Sequence, residues 1–165
     1  STYIRALLMK KKDTVNLVKT LMSTVAIWLC LISVNSFAVD EINTGFFSST
    51  AVQGYDTVAY FTEDKAVKGN TKYQFEWKGA NWHFSSLKNL ELFTSSPSKY
   101  APQYGGWCAY AVSQNTTASI EPDLFTIVND KLYLNYSREV NKKWLSNQAQ
   151  FIDDADKHWP TILGE

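Results

Sequence analysis

The chain has 165 residues, 16 Lys and Arg against 16 Asp and Glu, and two cysteines. Balanced charge excludes the broad basic face that neutralises nucleic-acid phosphates. Two cysteines exclude a disulfide scaffold or a structural zinc site of several thiolates, and the 15 % aromatic share suits a small core of a few large rings.

The first 38 residues read as a signal peptide. Lys10-Lys11-Lys12 follow Met9, the expected start, as a basic n-region, and Leu21 to Val34 is an apolar run of about 14 residues. That is short of the ~20 residues a membrane helix needs. Ser36-Phe37-Ala38 puts small residues where a signal peptidase reads, which places cleavage after Ala38. An uncleaved anchor is the alternative. The expected product is exported, periplasmic or secreted, with no stable membrane anchor after processing. Cys30 lies in the apolar run behind Ile27-Trp28-Leu29, a poor lipoprotein signal because Trp28 and Leu29 stand where small residues are wanted. It is expected to leave with the leader, making Cys108 the only thiol of the mature protein.

Residues 39–165, about 127 residues, are expected to form one domain with one core. Loss of Arg5, Lys10, Lys11, Lys12, Lys19 and Asp13 leaves about 11 basic and 15 acidic residues, a net charge near −4. Val39 to Val52 reads as a polar arm around Phe46-Phe47. Val58-Ala59-Tyr60-Phe61 reads as a short strand after the turn Gln53-Gly54-Tyr55-Asp56. Tyr73, Phe75 and Trp77 alternate with Gln74 and Glu76, and Lys78-Gly79 turns the chain into Ala80, Trp82 and Phe84. A two-residue turn there pairs Trp77 with Ala80, Phe75 with Trp82 and Tyr73 with Phe84, which gathers the rings on one face. His83 then faces Gln74 on the other side.

Ser85-Ser86 offers an N-cap for a helix carrying Leu87, Leu90 and Phe93, which Ser95-Ser96-Pro97 ends. Pro102 and Gly105-Gly106 break the next stretch, and Trp107 to Val112 reads as a strand in preference to a short helix. Phe125 to Val128, Asn129-Asp130 and Leu132 to Leu134 make a second hairpin. From Ser137 the spacing turns helical: Val140, Trp144 and Leu145 form one stripe, and Ile152, Ala155 and Trp159 another. Asn147 is a cap between them, and Pro160 ends or kinks the second helix. The class is α+β: a small antiparallel sheet of β-hairpins with a central helix and C-terminal helices.

Several runs resemble the secreted YHS-domain family. They are Gly54-Tyr55-Asp56-Thr57-Val58-Ala59-Tyr60-Phe61, Trp82-His83-Phe84-Ser85-Ser86 and the stretch from Pro97 through Gly105-Gly106-Trp107-Cys108-Ala109. Leu132-Tyr133-Leu134-Asn135-Tyr136 and Ala155-Asp156-Lys157-His158-Trp159-Pro160 follow in the same order. The resemblance implies a small exported α+β domain that binds a soft metal such as copper. Some relatives carry selenocysteine at the place of Cys108, which implies thiol or selenol chemistry. Metal-handling members have further cysteines where this chain has Asp56-Thr57 and Phe84-Ser85, and Thr57 replaces a proline.

Cys108 therefore has three readings. It is a buried small hydrophobe; a soft-metal ligand with His83, backed by Asp56, His158 or a tyrosine; or a redox thiol acting on a small-molecule oxidant, with Lys99 the nearest cation in sequence. Tyr100 and Tyr104, with Gly105, Gly106 and Trp107, either wedge a loop onto the core or line a pocket under Cys108. His83 and His158 each have a plain structural alternative. The function expected is an exported accessory protein binding a copper-type ion through Cys108 and His83, possible as a homodimer sharing sulfurs. A thiol redox protein and a non-catalytic interaction module are the alternatives. No triad, paired-carboxylate motif or dinucleotide fingerprint is present.

Overall fold

The structure, a computed structural model, describes Ile4, Arg5, Met9 and residues 39–165. The chain divides into two units, Ser1–Phe37 and Ala38–Glu165. In the first, Ile4, Arg5 and Met9 are helical and exposed. The leader reading, with its Lys10–Lys12 n-region, apolar run, Cys30 and Ala38 cleavage position, lies outside the described residues.

The second unit is α+β. Its elements in order are α1 (Thr57–Glu63), β1 (Asn70–Trp77), β2 (Ala80–Phe84), α2 (Leu87–Ser95), α3 (Pro97–Tyr100), α4 (Ala109–Ser113), β3 (Phe125–Val128), β4 (Lys131–Leu134), α5 (Arg138–Ser146) and α6 (Gln148–Leu163). The two hairpins form separate two-stranded antiparallel sheets rather than one.

The first hairpin turns as its sequence predicts: Lys78 (φ 50°) and Gly79 (φ 72°) both adopt the left-handed conformation that suits a two-residue turn. Trp77 pairs with Ala80, Phe75 with Trp82, and Gln74 with His83. The register then shifts, and Phe84 faces Asn70 instead of Tyr73. Gly69 accounts for the close approach at that end, because a Cβ there would lie 2.5 Å from the His83 carbonyl carbon. The aromatic face is core: Ala80, Trp82 and Phe84 are buried, and Trp82 and Phe84 pack on Phe93 of α2 at ring distances of 5.1 and 4.9 Å. Each such ring contributes roughly 2–3 kcal/mol by leaving water. Ser86 caps α2 through the Asn89 N–H, as expected.

The second hairpin forms as expected; it pairs Phe125 with Leu134 through Val128 with Lys131, and Asn129 and Asp130 are both left-handed. Buried Tyr133 stacks on Trp144 of α5 at 5.4 Å, and this second cluster also takes in Tyr104, Val112 and Ala155. Ser137 caps α5 through the Val140 N–H.

Two expectations are corrected. Val58 to Phe61 is helix, not strand, because the Asp56 side chain accepts from the Val58 and Ala59 N–H groups and starts α1. Trp107 to Val112 is not a strand either: α4 begins at Ala109. Pro160 sits within α6 and does not end it, since the helix runs three residues further to a left-handed Gly164. Asn147 separates α5 and α6 without a side-chain capping bond.

Candidate functional site

Cys108 is set by a tight crossing of loops. Tyr104, Gly105 and Gly106 are all left-handed (φ 54°, 59° and 84°), and so are Val52, Gln53 and Gly54 (φ 49°, 53° and 77°). A Cβ on Gly105 would fall 1.6 Å from the Glu41 carbonyl oxygen, so the N-terminal arm crosses there only because the residue is glycine. Buried Asn43 ties both turns to the arm. Its N–H donates to Gly105 O (2.9 Å), its side-chain amide to Gly106 O (3.1 Å), and its carbonyl accepts from the Val52 N–H (3.2 Å).

The chain leaves this crossing at Cys108, which is 1 % exposed. Its N–H donates to Ala118 O, and its thiol lies 3.5 Å from Asn135 Oδ1. That oxygen also accepts the Tyr110 N–H, while the Asn135 amide donates to Asn141. Burial pushes the Cys108 thiol above its ordinary value of 9.0, and main-chain N–H groups of Ala111, Tyr136 and Tyr110 pull the other way without prevailing. The sulfur is a neutral thiol at neutral pH.

His83 lies elsewhere, opposite Gln74 on the polar face of the first hairpin. Its Nδ1 sits over Gly54, where an added Cβ would approach to 3.3 Å. Lys68 donates to Gln53 O and lies 4.6 Å over the Tyr55 ring. Burial, and then the Lys68 charge, lower the His83 pKa, so the imidazole is neutral at pH 7. Among the described residues no hydrogen bond joins His83 to Cys108.

Asp56 is fully buried and fully used. Oδ1 accepts the Val58 and Ala59 N–H groups (2.9 and 3.2 Å). Oδ2 accepts the Ser85 N–H (2.8 Å), the Ser85 hydroxyl (2.6 Å) and the Asn89 amide (2.7 Å). A carboxylate has about four lone-pair sites, so nothing remains for a metal. His158 places Nδ1 3.1 Å from Ser113 O, tying α6 to the end of α4.

The predicted pocket residues separate. Tyr100 is buried, edge-on to Phe61 at 5.5 Å. Gly106 packs against Val52. Trp107 donates to Asp40 O and lines a hollow with Phe46. Tyr104 and Gly105 line a different cleft of about 340 Å³, between the first hairpin turn and α6. Cys108 lines neither. Residues that sequence reasoning missed include Asn43, hidden in a polar arm with no pattern. Asn135 and Asp156 were missed too, although both lie inside motif runs and their position there was the available signal.

A metal needs donors that converge, and among the described residues no three His, Cys, Asp or Glu side chains do so. Zinc, which asks for four ligands, does not fit these residues. One thiol and one neutral imidazole are donor types that suit Cu(I).

A family model described as the YHS domain matches residues 58–104. No curated protein and no solved structure matches the chain. The matched segment runs from α1 to the strained Tyr104. Of the four candidate ligands it contains His83, and Asp56, Cys108 and His158 fall outside it. The family is one associated with metal binding. The resemblance read from the motifs thus has its counterpart over residues 58–104, which match the YHS-domain model.

Proposed function

We propose that the chain is an exported YHS-domain accessory protein that binds a ligand rather than turning one over. The observation that carries this reading is the condition of the candidate reacting groups. Cys108 is buried and neutral, Asp56 is saturated by five donors, and His83 and His158 serve separate contacts. Acid–base or nucleophilic catalysis needs such groups within reach of one another and of a substrate. Export rests on the Lys10–Ala38 sequence pattern. Among the described residues no helix is long and apolar enough to cross a membrane. Mass spectrometry of the exported fraction should find Val39 at the N-terminus. A membrane-held chain that keeps Lys10–Lys12 would support the anchor instead.

The metal reading is a copper-type ion anchored by Cys108 with His83. Its support is the family match and the three main-chain N–H groups facing the sulfur, which would stabilise a thiolate once a metal displaced its proton. Titration of the reduced protein with Cu(I) against a competing chelator tests it. Binding near one ion per chain, or per dimer if sulfurs are shared, should vanish in Cys108→Ser, weaken in His83→Ala and exceed that of zinc. Wild type and Cys108→Ser behaving alike removes the metal and leaves the binding module. The redox alternative predicts rapid peroxide oxidation of Cys108, which a buried protonated thiol resists.

A further inference from the structure

We propose that the cleft between the first hairpin turn and α6 is a site for a small organic cation, an ammonium or guanidinium group on a short carbon chain. Its volume, about 340 Å³, falls in the range of small-molecule pockets. Four separate segments build it: the arm at Glu41, the hairpin turn at Trp77-Lys78, the stretch from Ser98 in α3 to Gly105, and α6 from Asp156 to Pro160.

The lining is chemically biased. Two indoles, Trp77 and Trp159, share the cleft with the Asp156 carboxylate. Tyr104, itself 6 % exposed, donates its hydroxyl to Asp156 Oδ1 at 2.8 Å and meets the Trp159 ring edge-on at 5.9 Å. That bond fixes the carboxylate and leaves its second oxygen without a partner among the described residues. No Lys, Arg or His among the described residues forms an ion pair with Asp156. The other charges of the cleft cancel: Lys78 pairs with Glu41 and lies 5.1 Å over the Trp77 ring.

One end of the cleft thus already holds an ammonium between an indole and a carboxylate. The Asp156 end repeats the same elements with no cation of its own. Aromatic faces attract cations through their quadrupole, and a fixed carboxylate adds a direct attraction that salt screens. An anion would be repelled, and a neutral sugar would stack without using Asp156. The site is independent of the metal reading, because neither Cys108 nor His83 lines it.

The test is titration of the purified chain with agmatine and with choline, followed by the Trp77 and Trp159 indole N–H signals in NMR. We expect saturable shifts at both indoles, weakened by added salt, with 3,3-dimethylbutanol, the neutral isostere of choline, giving none. Asp156→Asn keeps an oxygen for the Tyr104 hydroxyl and should weaken agmatine binding roughly tenfold or more. Cys108→Ser should bind as wild type does. Trp159→Phe, which keeps a ring against Tyr104, should weaken binding by a smaller factor and serves if Asp156→Asn does not fold. Shifts that do not saturate, equal binding by the neutral isostere, or unchanged affinity in whichever variant folds would overturn the proposal.

Discussion

Asp56 and Cys108 stand at the same place in two short helices, each the residue before the first turn, each buried, 0 and 1 % exposed. Asp56 turns one oxygen to two helical N–H groups and the other to Ser85 and Asn89. Cys108 makes no capping bond with its side chain and rests against Asn135. Donor supply and acidity separate the two. Five hydrogen bonds let a carboxylate remain in a dry interior, whereas a weakly acidic thiol under fewer and poorer donors keeps its proton. Burial alone therefore says little about whether a candidate ligand is available. What matters is how many of its lone pairs are already spoken for.

The sharpest way to break the comparison is Asp56→Ala. It removes the cap of α1 and strands the Ser85 and Asn89 donors in the interior. A lost cap costs about 1–2 kcal/mol, and each buried donor left unpaired adds about 1–3 kcal/mol. We expect a loss of roughly 4 kcal/mol in urea unfolding, or failure to fold. A loss below about 1 kcal/mol would mean that the Asp56 network is dispensable.

Cys108 gives the contrasting result. Cys108→Ser keeps the shape and places a hydroxyl near Asn135 Oδ1, so we expect a change of about 1–2 kcal/mol. The native thiol should resist aromatic disulfide reagents at pH 8 and react promptly in urea. Fast labelling of the folded chain would return Cys108 to the reactive class. The pH sign follows from the direction of its shift. A thiol whose folded pKa is raised contributes stability fully below its unfolded value of 9.0, and that contribution is lost as pH rises through the folded pKa. Tyr60 and Tyr104 are raised as well and act from their unfolded value of 10.0 upward. Between pH 9 and 10 the stability of the wild type should therefore fall, and Cys108→Ser should flatten that window.

The two sites were unequally legible in sequence. Strict alternation around Lys78-Gly79 predicted the ring face and the pairs Trp77 with Ala80 and Phe75 with Trp82, because side-chain period and turn chemistry act locally. Tyr73 with Phe84 failed at a register shift governed by Gly69 meeting the His83 backbone, a contact no local pattern encodes. Val58-Ala59-Tyr60-Phe61 looks like a strand by propensity, and one capping carboxylate overrode it. The α+β class, the second hairpin and the Ser86 cap all rest on local signals, and the structure has them. The surroundings of Cys108 and the gathering of the cleft around Asp156 depend on the arm at Glu41–Asn43 crossing distant loops, which sequence spacing does not reveal.

The finest test uses Thr57, the residue between Asp56 and the rest of α1. Its hydroxyl is buried with no hydrogen-bond partner among the described atoms, and its N–H is among the first-turn donors that a helix cannot satisfy internally. Proline suits that position, since it lacks the N–H and presets the helical φ. It also demands an extended residue before it, and Asp56 already has φ −75° and ψ 106°. Thr57→Pro should therefore stabilise the fold by about 0.5–1 kcal/mol, seen as a thermal midpoint raised by a few degrees, with the Asp56 network intact. Removing an unpaired hydroxyl and restricting the unfolded chain act in the same direction. A lowered midpoint would mean that Thr57 holds a bound water which proline cannot replace, and that the start of α1 depends on more than the Asp56 carboxylate.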